Sequence, residues 1–253
     1  MDDIGRAAKL ILESHYVIAL TGAGISVESG IRPFRGPGGL WTEFGEPPMD
    51  GYQRLLENPK KHWEEAMKRG SRDSEFVRAL GEAKPNPAHF ALAEMEQIGT
   101  LKYIITQNID NLHRAAGSKN VAEIHGNSQK LRCLRCSSRY ERGAISLEKL
   151  PPQCPRCGGL IKTDTVMFGE PIPKDVLRVC QREAGKADCM LVAGTSAFVY
   201  PAAGFPLEVR QKGGILIEIN LYETELTPWC EVSLRGKAGE MLPGLVNAIK
   251  SHR

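Results

Sequence analysis

The sequence predicts an α/β fold: an open, mostly parallel sheet with helices on both faces, carrying a small metal-bound module. Three observations lead there. Short apolar runs alternate along the chain with longer stretches of helical character, the pattern of a sheet built through crossover helices. Each apolar run stops at a cluster of small or polar residues, and four cysteines sit close together in the second half.

The elements follow in order. The N-terminal stretch MDDIGRAAKLILESHYV reads as an amphipathic helix running into a first strand, Tyr16 to Leu20. That strand empties into Thr21, Gly22, Ala23, Gly24 and Ser26, with a further glycine at Gly30. Glycines at a strand end let a ligand approach the backbone because no Cβ intervenes. A helix starting near Ile25 would aim free N–H groups at the same gap, which favours an anion such as a diphosphate. Gly22 and Gly24 fit the first two positions of G-x-G-x-x-G, but Val27 holds the third. Taken alone, the pattern leaves dinucleotide binding and an ordinary glycine turn both open. The segment Arg32 to Gly39, RPFRGPGG, adds an arginine and an aromatic able to fold over a phosphate and a flat ring, or to form a plain surface loop.

From about 40 to 80 the chain has helical periodicity with Trp41, Phe44, Tyr52, Leu55, Leu56, Trp63 and Met67, broken by prolines at 47, 48 and 59. This reads as a small helical insertion beside the sheet. Pro85 and Pro87 precede an amphipathic helix from Ala88 to Gln97. Leu101 to Thr106 is a strand ending in Gln107, Asn108, Ile109, Asp110 and Asn111, and Val121 to Ile124 is a strand ending at His125 and Gly126. A helix of roughly 174 to 185 leads to the strand Cys189 to Ala193, which ends in Gly194, Thr195 and Ser196; Gly214 to Ile219 then ends in Asn220. Ligands of open parallel sheets bind at the carboxyl ends of the strands. Polar groups gathered at five such ends point to one ligand, although helix N-caps draw on the same residue types.

Cys133, Cys136, Cys154 and Cys157 form two C-x2-C pairs separated by seventeen residues. The spacing is that of a four-thiolate zinc site, with two disulfides or a redox pair as the other reading. Four thiolates leave no open coordination position, so this zinc is structural. Cys180 and Cys189 read as small core hydrophobes.

Composition sets the remaining bounds. A chain of 253 residues with 42% apolar and 25% charged residues is ordinary for a globular protein. A net charge of +3 demands neither nucleic acid nor an anionic membrane. The absence of a basic start with a long apolar centre, and of any apolar run of about eighteen residues, predicts a cytoplasmic protein without a membrane span.

GAGIS at 22–26, GI-x-x-FR at 30–35, TQNID at 106–110, HG at 125–126, the four cysteines, FGE at 168–170, GTS at 194–196 and IN at 219–220 occur in that order. Together, from about Tyr16 to Leu245, they resemble a sirtuin, an NAD-dependent protein lysine deacylase, in its compact prokaryotic form. The resemblance implies a Rossmann-like NAD-binding domain from residues 1–35, 82–126 and 166–253. It also implies a small domain formed by the helical insertion, 36–81, and a zinc ribbon, 127–165. NAD would lie in the cleft between them as co-substrate, beside one structural zinc ion.

Carried over by motif, the resemblance gives the cofactor Gly22, Ala23, Gly24, Ser26, Phe34, Arg35 and Trp41 around the diphosphate and nicotinamide ribose. Gln107, Asn108, Ile109 and Asp110 line the nicotinamide pocket, and Asn108 is also catalytic as the group orienting a water or ribose hydroxyl. Gly194, Thr195, Ser196, Asn220, Leu221 and Ala238 hold the adenosine side. Val166, Phe168 and Gly169 face Phe198, Val199 and Tyr200 across a substrate strand. His125 is the general base, a role suited to an imidazole titrating near neutrality; its other reading is a hydrogen-bonded structural histidine. His15, His62, His89, His113 and His252 are assigned no chemistry.

Two departures stand out. Arg32-Pro33 occupies the place where the family commonly has Pro-Asp. The glycine-rich RGPGGLW resembles the subclass that removes acidic acyl groups with a Tyr-x-x-Arg clamp, but here the register reads Ala66-x-x-Arg69. Half the clamp is missing, which predicts deacetylation, weak desuccinylation and room for longer fatty acyl chains. The expected partners are acyl-lysine proteins bound as an extended strand, with no membrane, no direct nucleic-acid contact and a monomeric state. Two rivals differ in class: a nicotinamide oxidoreductase, and a zinc-ribbon nucleic-acid binder using Lys130, Arg132, Arg135, Arg139, Arg142 and Arg156.

Overall fold

The structure, a computed structural model, describes residues 2–71 and 75–252, with the side chains of residues 69–71 also left undescribed. Helix α1 (Asp3–Glu13) begins at Asp2, whose carboxylate accepts the Gly5 N–H at 2.8 Å, and it leads into β1 (Val17–Thr21). The insertion follows as α2 (Leu40–Phe44), α3 (Gly51–Glu57), α4 (Pro59–Ser71) and α5 (Glu75–Glu82). Helix α6 (Pro87–Gln97) starts with a capping box between Asn86 and His89 and runs to β2 (Leu101–Thr106). A single turn, α7 (Leu112–Ala115), leads to β3 (Val121–Glu123). The cysteine-bearing strands are β4 (Lys130–Cys133), β5 (Arg139–Glu141) and β6 (Ile161–Thr163). The chain then continues as α8 (Lys174–Lys186), β7 (Cys189–Ala193), α9 (Gly204–Gln211), β8 (Ile215–Asn220), β9 (Val232–Arg235) and α10 (Ala238–Ser251).

The main sheet has the order β3-β2-β1-β7-β8-β9, and every pairing in it is parallel. A parallel strand buried on both faces needs apolar side chains in both directions. Val17 and Ala19 accordingly pack with α1, α6 and α10, while Ile18 and Leu20 pack with α8 and α9. The chain builds outward from β1 to β3, then returns to the other side of β1 as β7. The strand order therefore reverses between β1 and β7, and the carboxyl ends at such a switch point are the ligand position of these sheets.

The small sheet, β5-β4-β6, is antiparallel. Trp63 from α4 closes its apolar side, packing with Leu131 and Ile161 and donating its indole N–H to the Ile161 carbonyl at 2.9 Å. The predicted strands and the flanking helices before β2 and β7 are all present. The helix expected near Ile25 is instead a 3-10 segment, Ala23–Ser29, closed by Gly30 at φ 87°. Strand β9 and helix α10 have no counterpart among the elements the sequence predicts.

Candidate active site

The site is organised by two loops that cross at the carboxyl ends of β1 and β7. Gly22 N–H bonds the Ala193 carbonyl at 3.1 Å and Gly24 N–H bonds the Gly194 carbonyl at 2.8 Å. A Cβ added at Gly24 would stand 2.7 Å from Gly194 Cα, and one at Gly194 would stand 2.3 Å from the Ile25 nitrogen. Gly194 also adopts φ +62°. Backbone lies on backbone here, and only glycine permits it. Above the crossing opens a cleft of about 1110 Å³.

Most residues selected from the sequence line this cleft: Gly22, Ala23, Gly24, Phe34, Arg35 and Trp41 on one side, Gln107, Asn108, Ile109 and His125 below. Gly194, Thr195, Ser196, Asn220, Leu221 and Ala238 line its far end. Val166, Phe168 and Gly169 face the same space as Phe198, Val199 and Tyr200.

Ser26 and Asp110 do not line it. They lie one layer behind, buried, with Ser26 Oγ donating to Asp110 Oδ2 at 2.7 Å and accepting from Asn108 Nδ2 at 3.1 Å. The second Asp110 oxygen accepts the Leu112 N–H at 2.9 Å. Burial pushes the Asp110 carboxyl above its usual range, against the pull of these donors. The pair fixes Asn108, which also donates to the Gly22 carbonyl at 3.1 Å.

Ala66 lies half-buried on α4 and does not line the cleft, while the side chain of Arg69 falls outside the described residues. The lining also includes Glu28, Glu46, Met49, Tyr222, Glu223 and Lys237, none of them singled out from the sequence. Lys237 adjoins Ala238, and Tyr222 and Glu223 follow the Asn220 strand end, so adjacency to the motifs was the available signal.

His125 closes the end of β3. Its Nδ1 lies 3.1 Å from the Gln107 carbonyl, an acceptor only, so Nδ1 carries the proton and the neutral ring keeps its lone pair on Nε2. Burial lowers the imidazole pKa below 6.5, and the Gln107 carbonyl acts in the opposite sense. The ring is therefore a neutral base at physiological pH. His89 and His113 are buried and structural: His89 caps α6 through Nδ1, and His113 Nε2 lies 2.9 Å from Thr21 Oγ1.

Arg35 lies over the Trp41 ring at 4.5 Å and pairs with Glu46 at 2.7 Å, while Phe34 and Trp41 stack with centroids 4.7 Å apart. Arg32 donates from Nε and Nη2 to the Gly38 carbonyl, at 3.0 and 2.9 Å, and pairs with Glu43 at 2.6 Å. In this chain the Arg32-Pro33 departure thus closes the glycine-rich loop onto α2.

The four predicted metal ligands converge. All four sulfurs lie within 4.8 Å of one another, with Cys133–Cys157 at 3.5 Å and Cys136–Cys154 at 3.7 Å. Disulfide sulfurs would be about 2.05 Å apart, and a tetrahedron with Zn–S bonds of about 2.3 Å has edges of about 3.8 Å. The cluster fits a structural zinc ion. Backbone N–H groups of Arg135 and Cys136 point at Cys133 Sγ, at 3.4 and 3.5 Å, as a thiolate knuckle needs.

The basic residues of this module are mostly engaged within it. Arg132 is buried on Asp164 and Glu170, Arg139 pairs with Asp164 and Asp175, Arg135 bonds the Cys157 carbonyl, and Arg142 bonds the Ser128 carbonyl. A surface spent this way is a poor electrostatic footprint for nucleic acid.

Comparison with known proteins agrees with this geometry. The model of the Sir2 family matches residues 22–201. An NAD-dependent protein deacylase of Pyrococcus furiosus is 45% identical over 252 residues, covering 98% of each chain. Among solved structures, a Sir2 homologue in complex with NAD has a TM-score of 0.81 at 45% identity, covering 100% of this chain and 95% of that one. A Sir2 structure with a p53 peptide and NAD+ has a TM-score of 0.78 at 35% identity, covering 98% of each.

Proposed function

The chain belongs to the Sir2 family of NAD-dependent protein deacylases, and from that premise we propose that it removes acetyl groups from protein lysines, with His125 as general base. The observation that carries the reading is the tautomer of His125: Nδ1 is anchored on the Gln107 carbonyl, leaving Nε2 as acceptor on a ring that lines the cleft. The cleft that opens over the glycine crossing and the polar strand ends around it fit a dinucleotide. NAD would supply an electrophilic ribose carbon, with nicotinamide as leaving group and ADP-ribose as acyl acceptor.

The protein's own groups act around that carbon. Arg35, once drawn from Glu46, meets the diphosphate. Asn108, held by Gly22 and Ser26, orients a ribose hydroxyl or water, and Asp110 acts through Ser26 and Asn108. His125 takes the proton from the ribose hydroxyl. Phe34, Trp41 and Phe168 form an aromatic cover, with Trp41 and Phe168 centroids 5.6 Å apart, that excludes water.

An acyl-lysine peptide would lie between Val166–Gly169 and Phe198–Tyr200. In support, the Val166 carbonyl and the N–H groups of Phe168 and Phe198 take no backbone partner among the described residues. Such unpaired groups are what strand addition uses. We read the molecule as a discontinuous NAD-binding domain (1–35, 82–126, 166–253) and a small domain (36–81, 127–165). A cytoplasmic location agrees with seven cysteines that form no disulfide; the chain is read as a monomer, which light scattering tests. Among the described residues, no helix is long and apolar enough to cross a membrane.

Incubation with NAD and an acetylated peptide, followed by product masses, tests the function: nicotinamide, deacetylated peptide and acyl-ADP-ribose are expected in equal amounts. Absorbance of reduced cofactor without nicotinamide release would instead establish an oxidoreductase. For acyl preference, the incomplete Tyr-x-x-Arg pair, with Ala66 where the tyrosine would stand, supports acetyl over succinyl, whereas acceptance of longer fatty acyl chains draws no support from Ala66, which lies off the cleft. A panel of acetyl, myristoyl and succinyl peptides checks it, and fastest turnover of succinyl overturns it.

A further inference from the structure

The zinc-bearing sheet presents two buried cations to one short piece of the cleft wall. Arg132 on β4 and Lys162 on β6 are cross-strand partners, and Arg132 immediately precedes the ligand Cys133. Both reach the loop after β6. The Lys162 side chain is wholly buried, and its Nζ donates to the carbonyls of Thr163 and Thr165, at 2.8 and 2.6 Å, and lies 3.0 Å from Glu170 Oε2. Arg132 Nη2 donates to Glu170 Oε1, and its Nε donates to Asp164 at 2.8 Å.

Glu170 is thereby the convergence point of the two cations. Its Oε2 also accepts the Met167 N–H at 2.9 Å, while the Glu170 N–H returns to the Met167 carbonyl at 3.0 Å. The wall segment between is pinned at its other points by Val166 N–H on the His125 carbonyl, 2.7 Å, and by Tyr52 N–H on the Phe168 carbonyl, 3.1 Å. Such pinning leaves the Val166 carbonyl and Phe168 N–H directed by the pins alone.

We propose that Glu170 is a positioning residue for the acyl-lysine peptide: with Lys162 and Arg132 it transmits the rigidity of the zinc ribbon to residues 166–169. The assignment rests on the reading that this segment pairs with substrate backbone. It gives the ribbon a part in substrate recognition beyond holding its own fold. Two buried cations facing two buried anions, with Arg139 reaching Asp164 from the rim, also explain why the network must be complete: removing one partner leaves an uncompensated buried charge.

For that reason the test uses the charge-balanced double variant, Lys162→Met with Glu170→Gln, which keeps the Arg132–Asp164 pair. Expected are one zinc per chain, an unchanged KM for NAD, and a KM for an acetyl-lysine peptide raised about tenfold, the equivalent of one or two mispositioned backbone hydrogen bonds. Glu170→Asp in a Lys162 background restores charge without reach and is expected to give the same KM shift. A folded, zinc-loaded double variant with wild-type peptide KM overturns the proposal, as does a parallel loss of zinc, NAD affinity and turnover. Peptides N-methylated on either side of the lysine separate this from the underlying reading. If N-methylation leaves the wild-type KM unchanged, the strand reading itself fails. If it raises the wild-type KM while the double variant matches wild type, only the role of Glu170 fails.

Discussion

His125 was legible from a strand end followed by glycine, but its tautomer was not, because the Gln107 carbonyl that sets it arrives from β2. Replacing it with alanine is expected to abolish deacylation while leaving zinc content and melting temperature near wild type; loss of fold along with activity would make it a structural residue. Its lowered pKa has a sign that can be checked. Protonation removes the base, and burial postpones protonation to lower pH. The acid limb of kcat/KM should therefore lie below pH 6.5, and a limb at or above that value contradicts the assignment. Ser26 and Asp110 show where motif reading falls short. A motif says that a residue belongs to a site, not how many layers of side chain separate it from the ligand.

At the scale of elements, the apolar runs of β1, β2, β7 and β8 were legible because a parallel strand must be apolar on both faces. Strand β9 is only four residues long, and α10 contains Gly239, Pro243 and Gly244, so propensity argued against both. Tertiary packing overrides it: Leu242, Leu245, Val246 and Ile249 are buried on the sheet. The crossing of the β1 and β7 loops yields a prediction at this scale. Gly194→Ala forces a positive φ on a residue with a Cβ and drives that Cβ into the Ile25 backbone. The cost should be at least about 1–3 kcal/mol, with NAD binding lost in calorimetry even where the protein still folds. Undiminished NAD affinity would mean that the crossing is not the cofactor floor. The metal module gives a second. Cys133→Ser, or a chelator, should remove zinc and abolish hydrogen-exchange protection in β4 to β6 before that of β1, β2 and β7. Equal loss in both sheets would show that the two unfold together.

For the whole molecule, three histidines are held neutral, His89 and His113 in the interior and His125 on the cleft wall. Burial takes His89 from 6.5 to about 4 and His113 well below 6.5, and lowers His125 as well. In the unfolded chain each protonates near 6.5. Stability contributed by these groups is therefore full above that pH and declines as pH falls toward the folded values, roughly 3 kcal/mol for His89 alone. The depressed carboxyls of Asp175 and Glu183 act lower, beneath about pH 4. Urea melts from pH 7 to 5 should show the decline, and His89→Gln should make it shallower; a midpoint constant across that range would refute it.

Between β3 and α8 the chain leaves the large sheet and comes back to nearly the same point. Gly126 sits so close to the Asp164 carbonyl that a Cβ there would be 1.7 Å away, and Val166 bonds the residue before that glycine. Departure and return share one doorway. To the sheet, everything between them is equivalent to a tight bend, so the metal cassette is exchangeable in principle: shortened, lengthened or swapped for another, it would leave the strand order untouched provided the threshold remains a glycine.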